Sequence, residues 1–441
     1  MKFGACLDQL DPVAVYGRVA QAVGLVIEGY GPITSIGDVC EIRPADGRDG
    51  IYAEAVGFRG ERVLLMPLGD VRRIGPGSRL IPQGAPSSVP IGDGLLGRVI
   101  DGLGRPLDGR GPLGSGQAYP LYAEPMNPLR RARIAEPLDL GIRAINALLT
   151  CGRGQKVGVF SGSGVGKSVL LGMMSRYTEA DVNVIALIGE RGREVQEFLE
   201  KDMTPASLRR SVVVVATSDQ PPLARIRGAF LATAIGEYFR DTGRHVLLLM
   251  DSLTRMAQAQ REVGLAVGEP PTTKGYTPSV FAMLPRILER VGSCEGAGTL
   301  TGLYTVLVEG DDLSDPIADA ARSILDGHIV LTRELASQGH YPAIDMLHSI
   351  SRVMPDITGE SQRSYARHLV ELLSVYKRAE DLINLGAYKP GASSRIDLAI
   401  RMRDPIMGFL RQDIEERVSL RDSVEALNLL FNQREGMEES P

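Results

Sequence analysis

Residues 157–171, VGVFSGSGVGKSVLL, decide how the chain is read. An apolar run ends at Phe160, a glycine-rich turn follows, and apolar residues resume at helical spacing, so a buried strand passes through a tight loop into a helix. Gly162, Gly164 and Gly166 let the backbone curl its N–H groups around phosphate oxygens, with Ser163 and Val165 between them. Lys167 can reach terminal phosphates, the Ser168 hydroxyl can ligate magnesium, and the helix start at Val169 favours an anion. Residues 161–169 are therefore the candidate nucleotide-binding loop. The usual pattern opens with glycine where this chain has Ser161, which puts the geometry of the first turn in question.

Outward from that loop, the runs VNVIALIGE (182–190), SVVVVATS (211–218), HVLLLMDS (245–252) and LYTVLVEG (303–310) alternate with helix-length segments. Strands buried on both faces read this way, so a mainly parallel sheet covered by crossover helices is expected. Asp251 ends a fully apolar strand, where a carboxylate is costly unless it serves a cation or a bound water. It is the second candidate magnesium ligand. Glu190, at the end of another apolar strand, could polarise a water attacking the terminal phosphate. Arg191, Arg193 and Glu194 surround it with charge.

The flanks look different. Over the first 90 or so residues, short apolar stretches are broken about every ten residues by Gly, Pro or Asp, the spacing of a small antiparallel β-barrel. A glycine- and proline-rich passage over 84–137 holds the first boundary. After Pro355 the strand runs stop, and helical spacing appears over 361–385 and again over 396–431. Three domains are expected, at 1–92, 93–353 and 354–441. A short amphipathic helix over 3–15 is limited to a few turns by Pro12.

Composition narrows the classes. The 441 residues are 44% hydrophobic and 23% charged, which excludes disorder. No apolar run has the length of about 20 residues that a bilayer requires, and the start MKFGACLDQLDP lacks signal-peptide features, so a soluble, cytoplasmic chain is expected. Cys6, Cys40, Cys151 and Cys294 stand far apart with no CxxC pair, which leaves a zinc site or disulfide framework without support. The net charge of −5 gives no general drive toward nucleic acid.

With these motifs in hand, the chain resembles a family. SGSGVGKS, GERGRE, VLLLMDSLTR, GHYPAID (339–345) and SISRV (349–353), in that order, are similar to the catalytic subunits of rotary ATPases and, more closely, to the type III protein-export ATPases. GLLGRVIDGLGRPLDG (94–109) and RRARIAEPLDLGIRAINALL (130–149) extend the likeness over nearly the whole chain. The wording of 166–182 and 64–80 resembles the flagellar branch. An injection-apparatus ATPase and a rotary catalytic subunit are the alternatives.

The resemblance implies an α/β fold with a small N-terminal β-barrel, a central RecA-like P-loop domain and a C-terminal helical domain. It implies ATP hydrolysis that energises or regulates flagellar protein export, with ATP as substrate and Mg2+ as cofactor. Lys167 and Ser168 would hold phosphate and magnesium, Asp251 would complete the magnesium shell, and Glu190 would activate water. Arg191 and Arg255 match arginines near the terminal phosphate and the magnesium-binding strand. Tyr341 matches an aromatic that stacks on adenine, and Pro405 with Ile406 falls near where the C-terminal domain closes that pocket. Arg352 matches an arginine that points across an interface into a neighbour's site.

Because Glu190 and Arg352 occur in one polypeptide, a homohexamer could have six equivalent sites. Further implied partners are a regulatory stator-like subunit at the N-terminus, a stalk protein, export-gate membrane proteins and substrate–chaperone complexes. The implied location is the cytoplasm, peripheral to the inner membrane at the flagellar base. One departure stands out: the acidic helix-loop-helix tip of the rotary subunits is replaced here by INLGAYKPGASSRIDLAI (383–400). A ring helicase would interleave basic and aromatic residues on its barrel. Residues 1–92 instead hold nine Lys or Arg against ten Asp or Glu.

Overall fold

The computed structural model describes residues 15–438 apart from 32, 33, 47, 48, 73, 84–87, 295, 297, 309 and 311. The helix expected over 3–15 lies, but for Val15, outside the described residues.

Six short strands, β1 (Gly17–Val23), β2 (Val26–Tyr30), β3 (Val39–Arg43), β4 (Ile51–Arg59), β5 (Arg62–Pro67) and β6 (Arg79–Pro82), close an antiparallel barrel in the order β1-β2-β5-β4-β3-β6. Successive strand residues face opposite sides. In β5, Val63 and Leu65 therefore fill the barrel while Leu64 and Met66 join the core of the central domain. That is why 63–66 reads VLLM without alternation: the strand is buried on both faces.

The central sheet is built from β7 (Val99–Asp101), β8 (Lys156–Ser161), β9 (Val182–Ile188), β10 (Ser211–Ala216), β11 (His245–Asp251), β12 (Thr299–Leu307), β13 (Gly327–Leu331) and β14 (Ile350–Ser351). Their order is β14-β13-β8-β12-β11-β9-β10-β7. Neighbours along this path run parallel except β13 and β14, which are antiparallel. Even and odd residues feed two separate cores. Val212, Val214, Val246 and Leu248 face one side, and Val213, Val215, Leu247 and Leu249 face the other.

Helix α1 (Lys167–Tyr177) covers one face with Leu170, Leu171 and Met174, and helix α2 (Pro222–Asp241) covers the other with Ile226, Phe230 and Ala234. Each fully buried Val, Leu or Phe contributes roughly 1.5–3 kcal/mol. Helix α3 (Leu253–Val267) follows β11 directly and is capped by Ser252, whose side chain accepts from Arg255 N–H. Because the strands are parallel, the carboxyl ends of β8, β9 and β11 lie along one edge, where ligands of such sheets bind.

The C-terminal part comprises α4 (Glu360–Asn384), α5 (Ser394–Leu410) and α6 (Leu420–Glu438). The helical reading of 396–431 is thus broken at 411–419. The break has physical causes: the Asp139 carboxylate accepts from Leu420 N–H at 3.0 Å, which starts α6, and the Gln412 side chain is anchored in the central domain. Among the described residues no helix is long and apolar enough to cross a membrane.

Candidate functional site

Ser161 ends β8 as ordinary strand. It has no positive φ; the positive values in the loop belong to Gly164 (+79°) and Gly166 (+91°), which begins α1. The serine side chain is therefore accepted where glycine is usual, because the left-handed turns come later. Its hydroxyl is buried without a hydrogen-bond partner among the described residues. Ser163, Val165 and Gly162 complete the loop, with Val165 packed into the core.

Lys167 extends from the start of α1 to the carboxyl ends of the sheet. Its ammonium lies 2.5 Å from Asp251 Oδ1 and 3.7 Å from Glu190 Oε1. The same Asp251 oxygen accepts from Thr305 Oγ1 at 2.7 Å, so this carboxylate, 4% exposed, is fixed by two donors. Ser168, Glu190, Glu194 and Asp251 line one small recess together with Leu187 and Phe198. Burial pushes the Glu190 carboxyl up to about 8, reinforced by its hydrogen bond with Glu194 and by the negative charge of Asp251, against the attraction of Lys167. The hydrogen bond from Glu190 holds Glu194 below the usual carboxylate range.

The arginines divide. Arg255 packs its methylenes over Gly189, and its Nε is buried with no partner among the described residues. Arg191 points outward, 79% exposed and 3.7 Å from Glu194. Arg352 follows the edge strand β14, and its N–H donates to Asp326 O at 3.0 Å. The pairing of Ser161 with Leu331 sets the level of the phosphate loop. Asp326 lies five residues earlier along β13, so at about 3.3 Å per residue Arg352 sits roughly 17 Å away, at the opposite end of the strands.

A second cleft of about 380 Å3 runs beside the loop. Gly164 and Gly166 form one end, Val169, Leu170 and Met173 of α1 form the floor, and Tyr341, Pro342 and Ala343 form one wall. Tyr341 is 47% exposed, with a ring edge close to Gly166. The C-terminal side is closed by Gln412, Asp413 and Ile414. Pro405 and Ile406 are corrected here, since neither lines the cleft: both lie back along α5, where Ile406 is 1% exposed in the hydrophobic core. The positions that do line it sit in the break that the helical pattern concealed. Thr305, on a strand read only as apolar, also escaped sequence reasoning.

Comparison with known proteins explains the arrangement. A flagellum-specific ATP synthase of Bacillus subtilis is 54% identical over 434 residues, covering 98% of both chains, and that of Salmonella typhimurium is 51% identical over 97% of this chain and 96% of the relative. The chain belongs to the type III export ATPases. Within this ATPase family the likeness is modular. Residues 19–84 match the ATP synthase alpha/beta family β-barrel domain, 141–351 the nucleotide-binding domain of that family, and 358–429 the T3SS EscN ATPase C-terminal domain. The assembled ATPase EscN from the enteropathogenic E. coli type III secretion system has the same fold. It superposes with a TM-score of 0.89 at 45% identity, covering 94% of this ATPase and 99% of that chain. The site described above is thus set in an ATP-hydrolysing enzyme.

Proposed function

We propose that the chain works as a ring of six identical copies at the flagellar base, where each ATP site is completed by Arg352 of the next copy. The observation that carries this reading is the placement of Arg352. It is exposed, its guanidinium has no hydrogen-bond partner among the described residues, and it lies at the wrong end of the strands for its own phosphate loop. An arginine supplied from a neighbouring subunit neutralises charge that develops on the transferring phosphoryl group.

Within one copy, loop N–H groups and Lys167 bind the phosphates, so the Lys167 ammonium turns from Asp251 toward substrate. Glu190 accepts a proton from the attacking water, and a carboxyl lifted to about 8 is matched to that task near neutral pH. Arg255 packs its methylenes over Gly189, next to Glu190, and its buried Nε has no partner among the described residues. Tyr341 offers its ring to adenine. Magnesium usually takes one or two carboxylates, substrate phosphates and water. The Ser168 hydroxyl and the Asp251 carboxylate, sharing one recess, fit that donor set and would hold the ion. When bound, the ion neutralises charge on the β- and γ-phosphates.

The flagellar assignment follows relatives named flagellum-specific at 48–54% identity, with a Xanthomonas euvesicatoria type 3 secretion system ATPase at 48% as the second reading. A structure of EscN with its central stalk EscO, 44% identical with a TM-score of 0.87, supports a stalk partner. A stator-like subunit at the N-terminus, export-gate proteins and substrate–chaperone complexes complete the proposed set, at the cytoplasmic face of the inner membrane.

The test is specific activity against protein concentration, with light scattering on the same samples. Activity should rise more than linearly as monomers assemble. A specific activity that stays constant across the transition from monomer to hexamer defeats the proposal.

A further inference from the structure

The second cleft offers mainly apolar surface and few groups that could read a base by hydrogen bonds. Its floor and walls come from Val169, Leu170, Met173, Leu331, Tyr341 and Ile414, which offer apolar surface and one ring face. Gln412 lines it too, but its amide is spent. Nε2 donates to Gly141 O and Glu416 O, each at 2.8 Å, and Oε1 accepts from Arg143 N–H at 2.7 Å. A pocket of this kind rejects a wrong base weakly, because no buried polar group is left unpaired by the exchange.

Asp413 is the exception. It is the one acidic side chain in the described lining, and its carboxyl group forms no hydrogen bond to any described residue. Its backbone N–H donates to Glu416 Oε2 at 3.3 Å, which holds the turn independently of the side chain.

The location matters as much as the chemistry. Ile414 O accepts from Arg176 Nη2 at 3.0 Å and from the Tyr177 hydroxyl at 2.9 Å. Those residues end α1, nine and ten positions beyond Lys167, or roughly 14 Å at 1.5 Å per residue. Segment 412–414 therefore runs from Tyr341, whose O accepts from Gln412 N–H at 3.0 Å, toward the end of α1 that lies away from the phosphate loop. With the phosphates on the loop and the base against Tyr341, the purine edge farthest from the sugar points along this segment.

We infer that Asp413 selects the base, its carboxylate accepting a hydrogen bond from the exocyclic amino group of adenine and disfavouring purines that carry a carbonyl there. An ionised carboxylate is an acceptor only, so where it faces the exocyclic position a 6-oxo group meets repulsion rather than a bond. The N1–H of such a purine lies one ring atom away and is reached only if the base shifts, which keeps the discrimination small. The inference rests on the proposed placement of the base in this cleft. Since Asp413 is exposed, solvent competes and the discrimination is modest, about fivefold, the typical worth of a neutral hydrogen bond and below that of one to a charged group.

The experiment compares kcat/KM for ATP and ITP, which differ at that amino group, in the full-length enzyme and in Asp413→Ala, Asp413→Asn and Tyr341→Ala. The unsubstituted enzyme should favour ATP about fivefold. Asp413→Ala should bring the ratio to about one, and Asp413→Asn, whose amide can donate to a 6-oxo group, to one or below. A merely structural role for Asp413 changes both substrates alike and leaves the ratio in place, which overturns the inference. Tyr341→Ala separates the two levels: raised KM values for both nucleotides uphold the placement of the base, whereas unchanged values overturn the placement and the inference with it.

Discussion

The two ends of the central sheet are opposites. At the carboxyl ends of β8, β9 and β11, the Lys167 ammonium lies within 4 Å of both Glu190 and Asp251, and Thr305 donates to Asp251. At the amino end, beside β14, Arg352 is exposed, and among the described residues only its backbone is hydrogen-bonded. A cation with internal partners is already placed for work in its own chain; one without them, about 17 Å from its own loop, is placed for another chain. The difference supports the proposal that one chain carries both halves of the catalytic set and that its geometry divides them between two copies.

The strongest way to break this contrast is Arg352→Ala. Loss of an arginine finger costs about 10³–10⁵ in turnover. ATP binding, measured with a fluorescent nucleotide, should persist because the phosphate end is untouched. Comparable kcat in the variant would make Arg352 an ordinary surface residue. At the other end, Glu190→Gln keeps the shape and removes the base, so turnover should fall about 10²–10⁴-fold while nucleotide is retained. Near-normal hydrolysis would remove Glu190 from the chemistry. A smaller effect is expected from Tyr341→Ala, about tenfold in KM for ATP with little change in kcat, since stacking is worth about 1–3 kcal/mol per base. An effect confined to kcat would show that the ring does not hold the base.

A second buried carboxyl sharpens the comparison by lacking a catalytic neighbourhood. Glu54, on β4 where the barrel meets α2, lies 3.7 Å from Arg227, and burial pushes it from 4.5 up to about 7 despite that charge. The folded state thus binds its proton more tightly than the unfolded chain does. This site's contribution to stability is largest below about pH 4.5 and is lost as pH rises toward 7. Thermal unfolding across pH 5–8 should therefore show a flatter dependence in Glu54→Gln, with ATPase turnover little altered. An unchanged slope would mean that Glu54 titrates as an exposed carboxyl does.

Much of this was legible in the sequence, for reasons that differ by region. The loop 161–168 is local chemistry: glycines, lysine and serine at fixed spacing, readable without the fold. The apolar runs announced buried parallel strands because both faces of each are covered, and Asp251 and Glu190 stood out as charges ending such runs. The break between α5 and α6 was not legible, since apolar residues continue at helical spacing through it. It arises from long-range bonds of Asp139 and Gln412, partners about 280 and 270 residues apart whose meeting no local pattern encodes. For the same reason Gln412, Asp413 and Ile414 went unseen while Pro405 and Ile406, nearby in sequence, were chosen. Thr305 was hidden because a β-branched hydroxyl suits any buried strand.

The most direct test of the central claim is to mix copies carrying Glu190→Gln with copies carrying Arg352→Ala, each inactive alone, and to measure ATP turnover after assembly. An intact Glu190 and an intact Arg352 can then meet only across an interface between different copies, which happens at about a quarter of sites in a random one-to-one ring. Recovery of activity in the mixture, absent from either parent, is the expected result. A mixture that assembles into rings yet remains as inactive as its parents would contradict the division of the catalytic set between neighbours.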